Sequence, residues 1–353
     1  MILNRILIFT LLLLLCGSVW ARDKTDIIWL SNGDRITGEI KQLEHGILRV
    51  GTDAIGDINI QWEDIATIDS EFEFQFERSD GTRITGIIKD SPDQQTITLA
   101  NKEQTASFAH DNVVRISQIE NSFWNRLKGS LSFGYSFTKA SDVAQGNLGF
   151  RATHRTEIRS FTLEGSTIIT NDQAGQGTQR SNIGLEMTRF RKARWFNSYW
   201  TGFESNDELG LKLRTSLGTG VGRFLIQTNV SELALIGGVV GTIEDLEDQA
   251  GVTSKKENVE GLIGIDYSRY IFDDPTLDLS SRLVAFPSIT ESGRTRAQFD
   301  VKLRWEIYED LYWDLSYYNT YDSNPQTEGD SGASITSAPT SDYGVVTSLG
   351  WSF

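Results

Sequence analysis

The sequence predicts an all-β chain in two unlike parts: tandem small SH3- or Sm-like β modules, then an antiparallel transmembrane β-barrel of about twelve strands. Three observations predict this. A motif recurs at a spacing of 48 residues in the first third. From about residue 124 the chain becomes a run of long segments in which apolar and polar residues alternate. The connections between those segments are alternately short and long.

Composition sets the outer limits. The chain has 353 residues, 33 Lys+Arg against 48 Asp+Glu, and a net charge of -15, which disfavours nucleic acid as a partner. Proline is scarce (5) and glycine plentiful (32), as suits many strands joined by turns. Residues 1–21 read as a secretory signal peptide: Arg5, an apolar run from Ile6 to Leu15, then Val19-Trp20-Ala21 as the cleavage site. Cys16 is the only cysteine, so cleavage after Ala21 leaves a mature chain without one. A lipid anchor on Cys16 is disfavoured because Leu15 stands where a small residue is expected.

Residues 22–122 read as a duplicated periplasmic β-domain, with copies at 26–70 and 74–118. Leu30-Ser-Asn-Gly-Asp-Arg-Ile-Thr-Gly-Glu-Ile-Lys41 matches Arg78-Ser-Asp-Gly-Thr-Arg-Ile-Thr-Gly-Ile-Ile-Lys89. The repeat turns are Asn32-Gly33 and Asp80-Gly81, with Gly38 and Gly86 at equivalent strand positions. Each copy reads as five short strands; Ile36, Ile40, Leu48, Val50, Ile58 and Ile60 are the expected core of the first. Phe72, Phe74 and Phe76 share one face and read as core of the second.

Residues 123–353 read as the barrel, in twelve strands beginning at Leu127 and ending at Phe353. The even-numbered connections, such as those at 157–158 and 191–194, are short, whereas the odd ones, such as 243–257 and 322–340, are long and polar. A barrel whose two chain ends lie on one side has this asymmetry. The last strand alternates Tyr343, Val345, Leu349, Trp351 and Phe353 with small residues. It resembles the final strand of bacterial outer-membrane barrels, whose assembly machinery reads a C-terminal aromatic.

The opposite faces carry charge: Arg296, Asp300, Lys302, Arg304 and Glu306 on one strand, and Lys212, Arg214, Glu260, Asp266 and Asp314 elsewhere. A Lys or Arg facing lipid at the midplane costs about 2–4 kcal/mol, so these faces are expected to line the lumen. Such a lumen either conducts, with its charges setting ion selectivity, or is filled by its own ion pairs. The acidic run Glu244-Asp-Leu-Glu-Asp248 reads as a solvated loop tip.

No enzyme is expected. The three histidines, His45, His110 and His154, lack a serine motif beside them. No cofactor or metal ligand set is read. The expected partners are the outer-membrane bilayer, the barrel-assembly machinery during biogenesis, and a periplasmic protein or peptidoglycan for the duplicated domain.

The two-part plan resembles the salt-induced outer-membrane proteins (domain of unknown function 481). The resemblance rests on the motif at 32–38, its repeat at 80–86, and the strand-rich part ending in Trp351-Ser-Phe353. It implies a Gram-negative outer-membrane barrel with a link to salt or envelope stress. It implies no substrate, reaction or catalytic residue.

Overall fold

The computed structural model describes residues 24–89, 96–100, 105–119, 123, 126–138, 143–156, 158–171, 177–207, 211–247, 253–271, 275–308, 310–324 and 340–352. The expected signal peptide with Cys16, and the terminal Phe353, lie outside the described residues.

The first ten strands are β1 (Asp26–Leu30), β2 (Arg35–Glu44), β3 (Ile47–Gly51), β4 (Asp57–Gln61), β5 (Ile65–Asp69), β6 (Glu73–Arg78), β7 (Arg83–Lys89), β8 (Thr96–Ala100), β9 (Thr105–Ala109) and β10 (Val113–Gln118). They pair alike in each half. β1 pairs with β2 and β5, and β2, β3 and β4 follow in order; β6 pairs with β7 and β10, and β7, β8 and β9 follow. β10 also pairs with β2, which joins the two halves. One core serves both: Ile40, Leu43, Leu48, Val50, Phe74, Phe76 and Ile116 are fully buried, and Ile36, Ile58 and Phe72 pack against them. Trp62 and His110, equivalent by the repeat, lie parallel with ring centres 4.1 Å apart. The Trp62 indole N–H also donates to the His110 carbonyl at 3.1 Å.

The repeat turns match in detail. Gly33 N–H donates to the Leu30 carbonyl and Gly81 N–H to that of Arg78. Asn32 Oδ1 accepts from Asp34 N–H and Asp80 Oδ1 from Thr82 N–H, both at 2.9 Å. Gly38 and Gly86 serve close packing: a Cβ on Gly38 would meet the Gly51 carbonyl at 2.7 Å, and one on Gly86 that of Ala100 at 3.0 Å.

The other twelve strands close into an antiparallel barrel. They are β11 (Leu127–Thr138), β12 (Val143–Arg155), β13 (Arg159–Asn171), β14 (Gly177–Phe190), β15 (Trp195–Asn206), β16 (Leu211–Gln227), β17 (Ser231–Glu247), β18 (Thr253–Ile271), β19 (Leu277–Pro287), β20 (Thr295–Tyr308), β21 (Leu311–Asp322) and β22 (Ser341–Ser352). The seam pairs Ser130–Phe133 with Leu349–Ser352, so both chain ends of the barrel lie at the short-turn end.

Period-two alternation explains the wall. Directly opposed residues of antiparallel neighbours share a face, so one register sorts every strand. Leu131, Phe133, Leu163, Leu185, Phe203, Leu217, Val239, Ile263, Leu283, Leu315, Val345 and Leu349 are exposed on the outer surface. Trp195, Trp305, Trp351, Tyr308 and Tyr343 are exposed there too, toward strand ends. No helix among the described residues is long and apolar enough to cross a membrane, which says nothing of strands.

One expectation is corrected. The stretch 243–257 is not a long loop: β17 continues to Glu247 and β18 begins at Thr253. Glu244 is fully buried inside the barrel rather than at a solvated tip. Its run looks loop-like because strand residues past the apolar band lose their greasy face; Asp248 lies outside the described residues.

Candidate functional site: a charged lumen and its two ends

Inside the barrel, register sets neighbouring strands' charges beside opposite charges. One row across the wall reads Asp266, Arg282, Asp300 and Tyr318. The next reads Ser280, Lys302 and Ser316, and the next Asp278, Arg304, Asp314 and Ser348. Opposed charged pairs on one face attract. Arg282 donates to Asp266 at 2.5 Å, and Arg304 holds Asp314 through two hydrogen bonds of 2.9 and 3.1 Å. Arg151 pairs with Glu164 at 2.7 Å on another arc of the wall. These mid-lumen groups keep contact with open space: the side chains are 57% exposed for Arg151, 45% for Glu164 and 45% for Lys302.

Toward the long-loop end the lumen is bridged by side chains. Glu204, Arg214, Glu244, Arg294 and Asp322 form one chain of ion pairs running from β15 to β21. Arg296 Nε donates to Glu260 at 2.8 Å. Asn206 on β15 donates to Asp342 on β22 at 3.1 Å, and Arg180 on β14 reaches both Asp342 and Thr320 at 3.0 Å. Asn206 and Asp342, like Arg180 and Thr320, stand five strands apart around the ring of twelve, and Arg180 and Asp342 four. Such bonds therefore cross the lumen. Glu244 and Glu260 have no exposed surface, and Arg214, Arg294 and Arg296 almost none. Buried charges persist only when paired, and removing one partner costs about 3–5 kcal/mol.

At the short-turn end the ten-stranded N-terminal part sits against the mouth from β11 round to β18. Glu77 on β6 is the hub. It receives Arg83 at 3.0 Å and Arg115 at 3.5 Å from its own sheets, and Arg155 at 3.8 Å and Gln227 at 3.4 Å from the barrel. Glu44 on β2 pairs with both Arg115 and the barrel's Lys128. Arg83 and Arg155 both approach the Phe190 ring, 5.4 and 4.0 Å from its centre. It packs inside the barrel with Phe196, Ala234, Phe224 and Ile236, forming an apolar step. The His45 ring stacks on Tyr270 at 3.9 Å. Asn229 donates to the Val113 carbonyl at 3.0 Å.

Two features mark this joint. Among the described residues four non-glycine positions adopt positive φ, and three are here: His45 (52°) beside Gly46, and Ala193 (54°) and Arg194 (65°) in the barrel turn. Left-handed non-glycine residues cost free energy and cluster where structure serves function. The repeat is also used asymmetrically. A Cβ on Gly33 would meet nothing within 4 Å, whereas one on Gly81 would come within 2.5 Å of the Arg194 backbone nitrogen. One copy's turn docks on the barrel and the other's is free.

The joint also shifts titrations in the docked part. Burial pushes the Glu77 carboxyl up, but Arg115, Arg155 and Arg83 outweigh it and hold it below the usual carboxylate range. Glu44 behaves alike: Arg115 and Lys128 overcome burial and hold it well below that range. Burial lowers His45 to about 3, Glu44 opposing and Arg115, Lys128 and Arg155 reinforcing the shift.

A family model described as "Protein of unknown function, DUF481" matches residues 131–337. The chain belongs to this family. The match falls within the barrel, and the ten-stranded part lies outside it. No curated protein matches the chain in sequence. Among solved structures, the β domain of the Bordetella autotransporter BrkA is similar at 9% identity and TM-score 0.33, covering 64% of this chain and 97% of that one. The NanC porin is similar at 10% identity and TM-score 0.36, covering 64% and 98%. An outer-membrane channel from Pseudomonas putida F1 is similar at 8% identity and TM-score 0.38, covering 64% and 95%.

Of the lumen charges expected for this family member, Arg214, Glu260 and Arg296 fall in the bridge at the long-loop end, and Asp266, Asp300, Lys302, Arg304 and Asp314 in the middle rows. Glu306 stands at the short-turn mouth and is exposed; Lys212 is exposed beside a register shift at Leu211–Leu213. Tyr343, Val345, Leu349 and Trp351 face outward on β22. Sequence reasoning missed Arg180, Glu204, Arg294, Asp322 and Asp342 in the bridge, and Glu44, Glu77, Arg115 and Arg155 in the joint. Partners far apart in sequence leave no spacing signal. The one readable hint was that Arg294 and Asp322 flank the ends of neighbouring strands.

Proposed function

We propose that this chain spans the outer membrane as a gated channel for small solutes, with a preference for cations and no enzymatic role. The N-terminal part acts as its periplasmic cap, and β22, with Trp351 near its end, is what the assembly machinery reads. The apolar outer band supports the membrane placement. The observation that carries the channel reading is the accessible charged band between a bridged end and a capped end. A barrel that merely fills itself has no reason to leave Arg151, Glu164 and Lys302 about half exposed inside.

The selectivity follows from counting signs. Glu164, Glu186, Asp266, Asp278, Asp300 and Asp314 face Arg151, Arg282, Lys302 and Arg304 in the middle band, six carboxylates against four cations. In the bridge, Glu204, Glu244, Glu260, Asp322 and Asp342 outnumber the four arginines by one. A lumen with excess carboxylate favours cations.

The test is conductance and reversal potential of the full chain in planar bilayers under a KCl gradient. The unmodified protein should be mostly silent. The double variant Arg294→Ala with Glu77→Ala should conduct with a cation-selective reversal potential. A double variant that is folded and inserted yet silent would overturn the channel reading.

A further inference from the structure

We propose that acid releases the cap: protonation of His45 at the cap–barrel joint, followed at lower pH by Glu77 and Glu44, undocks the N-terminal part from the short-turn mouth. The inference rests on the cap reading above and adds its trigger.

His45 occupies the β2–β3 turn in a left-handed conformation and lies flat on Tyr270 of β18, so its position is set by docking. The charged groups that influence it come from every element around the joint. Glu44 is its chain neighbour, Arg115 comes from β10, Lys128 from β11 and Arg155 from β12. Glu232 of β17 acts on the same cluster through Arg115. Arg115, Lys128 and Arg155 all disfavour a charged imidazole here, and Glu44 opposes them. Among the described residues, several polar atoms here are also buried without a hydrogen-bond partner: the Nε of Arg83, Oε1 of Gln227 and Oδ1 of Asn229. Each such atom costs about 1–3 kcal/mol. The joint is thus assembled from strong pairs around unmet groups, as suits a contact that must come apart.

The sign follows from linkage. In the released cap His45 regains its ordinary value near 6.5, whereas in the docked state it stays neutral down to about 3. Docking is therefore fully favoured above 6.5 and weakens as pH falls from there, by up to about tenfold per unit. Glu44 and Glu77 act in the same direction lower down. Only the share supplied by the barrel's Lys128 and Arg155 is lost on release, because Arg115 and Arg83 belong to the cap and stay beside these carboxyls.

The experiment places spin labels at Asn59→Cys on the cap and Lys192→Cys on the barrel turn, both exposed, in the full chain reconstituted in lipid discs. At pH 7.5 one short distance should dominate. Between pH 6.5 and 4.5 a longer population should grow, the docking equilibrium falling by up to about a hundredfold. His45→Asn keeps the left-handed turn and removes the titration, so its longer population should appear only below about pH 4.5. A single short distance at every pH down to 4, or an unchanged transition in His45→Asn, would overturn the inference. Release without any change in conductance would leave it standing and count against the channel reading instead.

Discussion

Gly33 and Gly81 occupy the same turn of the same repeat, at φ 93° and 79°. Alanine at either position carries the left-handed penalty, about 1 kcal/mol. Only at Gly81 does the added carbon also strike the barrel, at the Arg194 backbone. Both variants should therefore lose similar thermal stability in the N-terminal part. Gly81→Ala alone should expose the joint to limited proteolysis; equal protection in the two would refute the asymmetric docking. Glu77→Ala removes the partner of Arg83, Arg155 and Gln227 and one of the two carboxylates beside Arg115 in a buried joint. It should weaken docking by about 3 kcal/mol or more, read as faster hydrogen exchange at β6 and β10.

At the scale of strands, period-two alternation made the barrel legible. All twelve barrel strands lie where the alternating segments stand, including the weakly patterned β12 and β17. Their ends were not legible. Beyond the apolar band both faces become polar, and Glu244 on a strand looks like Glu244 on a loop. The repeat likewise revealed the first ten strands, because turn chemistry at Asn32-Gly33 and Asp80-Gly81 is local. It did not reveal which copy docks, since that depends on the approach of a distant turn. The seam offers a test at this scale. β11 and β22 pair over few residues, and Gly350 there lies beneath the Tyr312 ring, whose hydroxyl donates to the Leu131 carbonyl at 3.0 Å. Gly350→Val should force that ring out and weaken closure, so more protein should migrate as the unfolded form in unheated gels. Unaltered heat-modifiability would show that the seam does not depend on that packing.

For the whole molecule, the charges expected to face a lumen do so in large part, yet their roles divide in a way no linear pattern could give. Arg214, Glu260 and Arg296 belong to a bridge across one end, whereas Lys302 and Asp266 line an accessible middle. That division comes from pairs such as Asn206 with Asp342, which meet only once the ring has closed. The account's central claim is an accessible charged chamber shut at both ends. The most direct measurement is the reaction of Lys302→Cys with a small charged thiol reagent, added from outside intact cells or from the periplasm. In the otherwise unmodified protein the account predicts slow reaction from both sides. It predicts fast reaction from outside once Arg294→Ala breaks the bridge, and from the periplasm once Glu77→Ala loosens the cap. Fast reaction in the unmodified background, or no acceleration by either change, would contradict it.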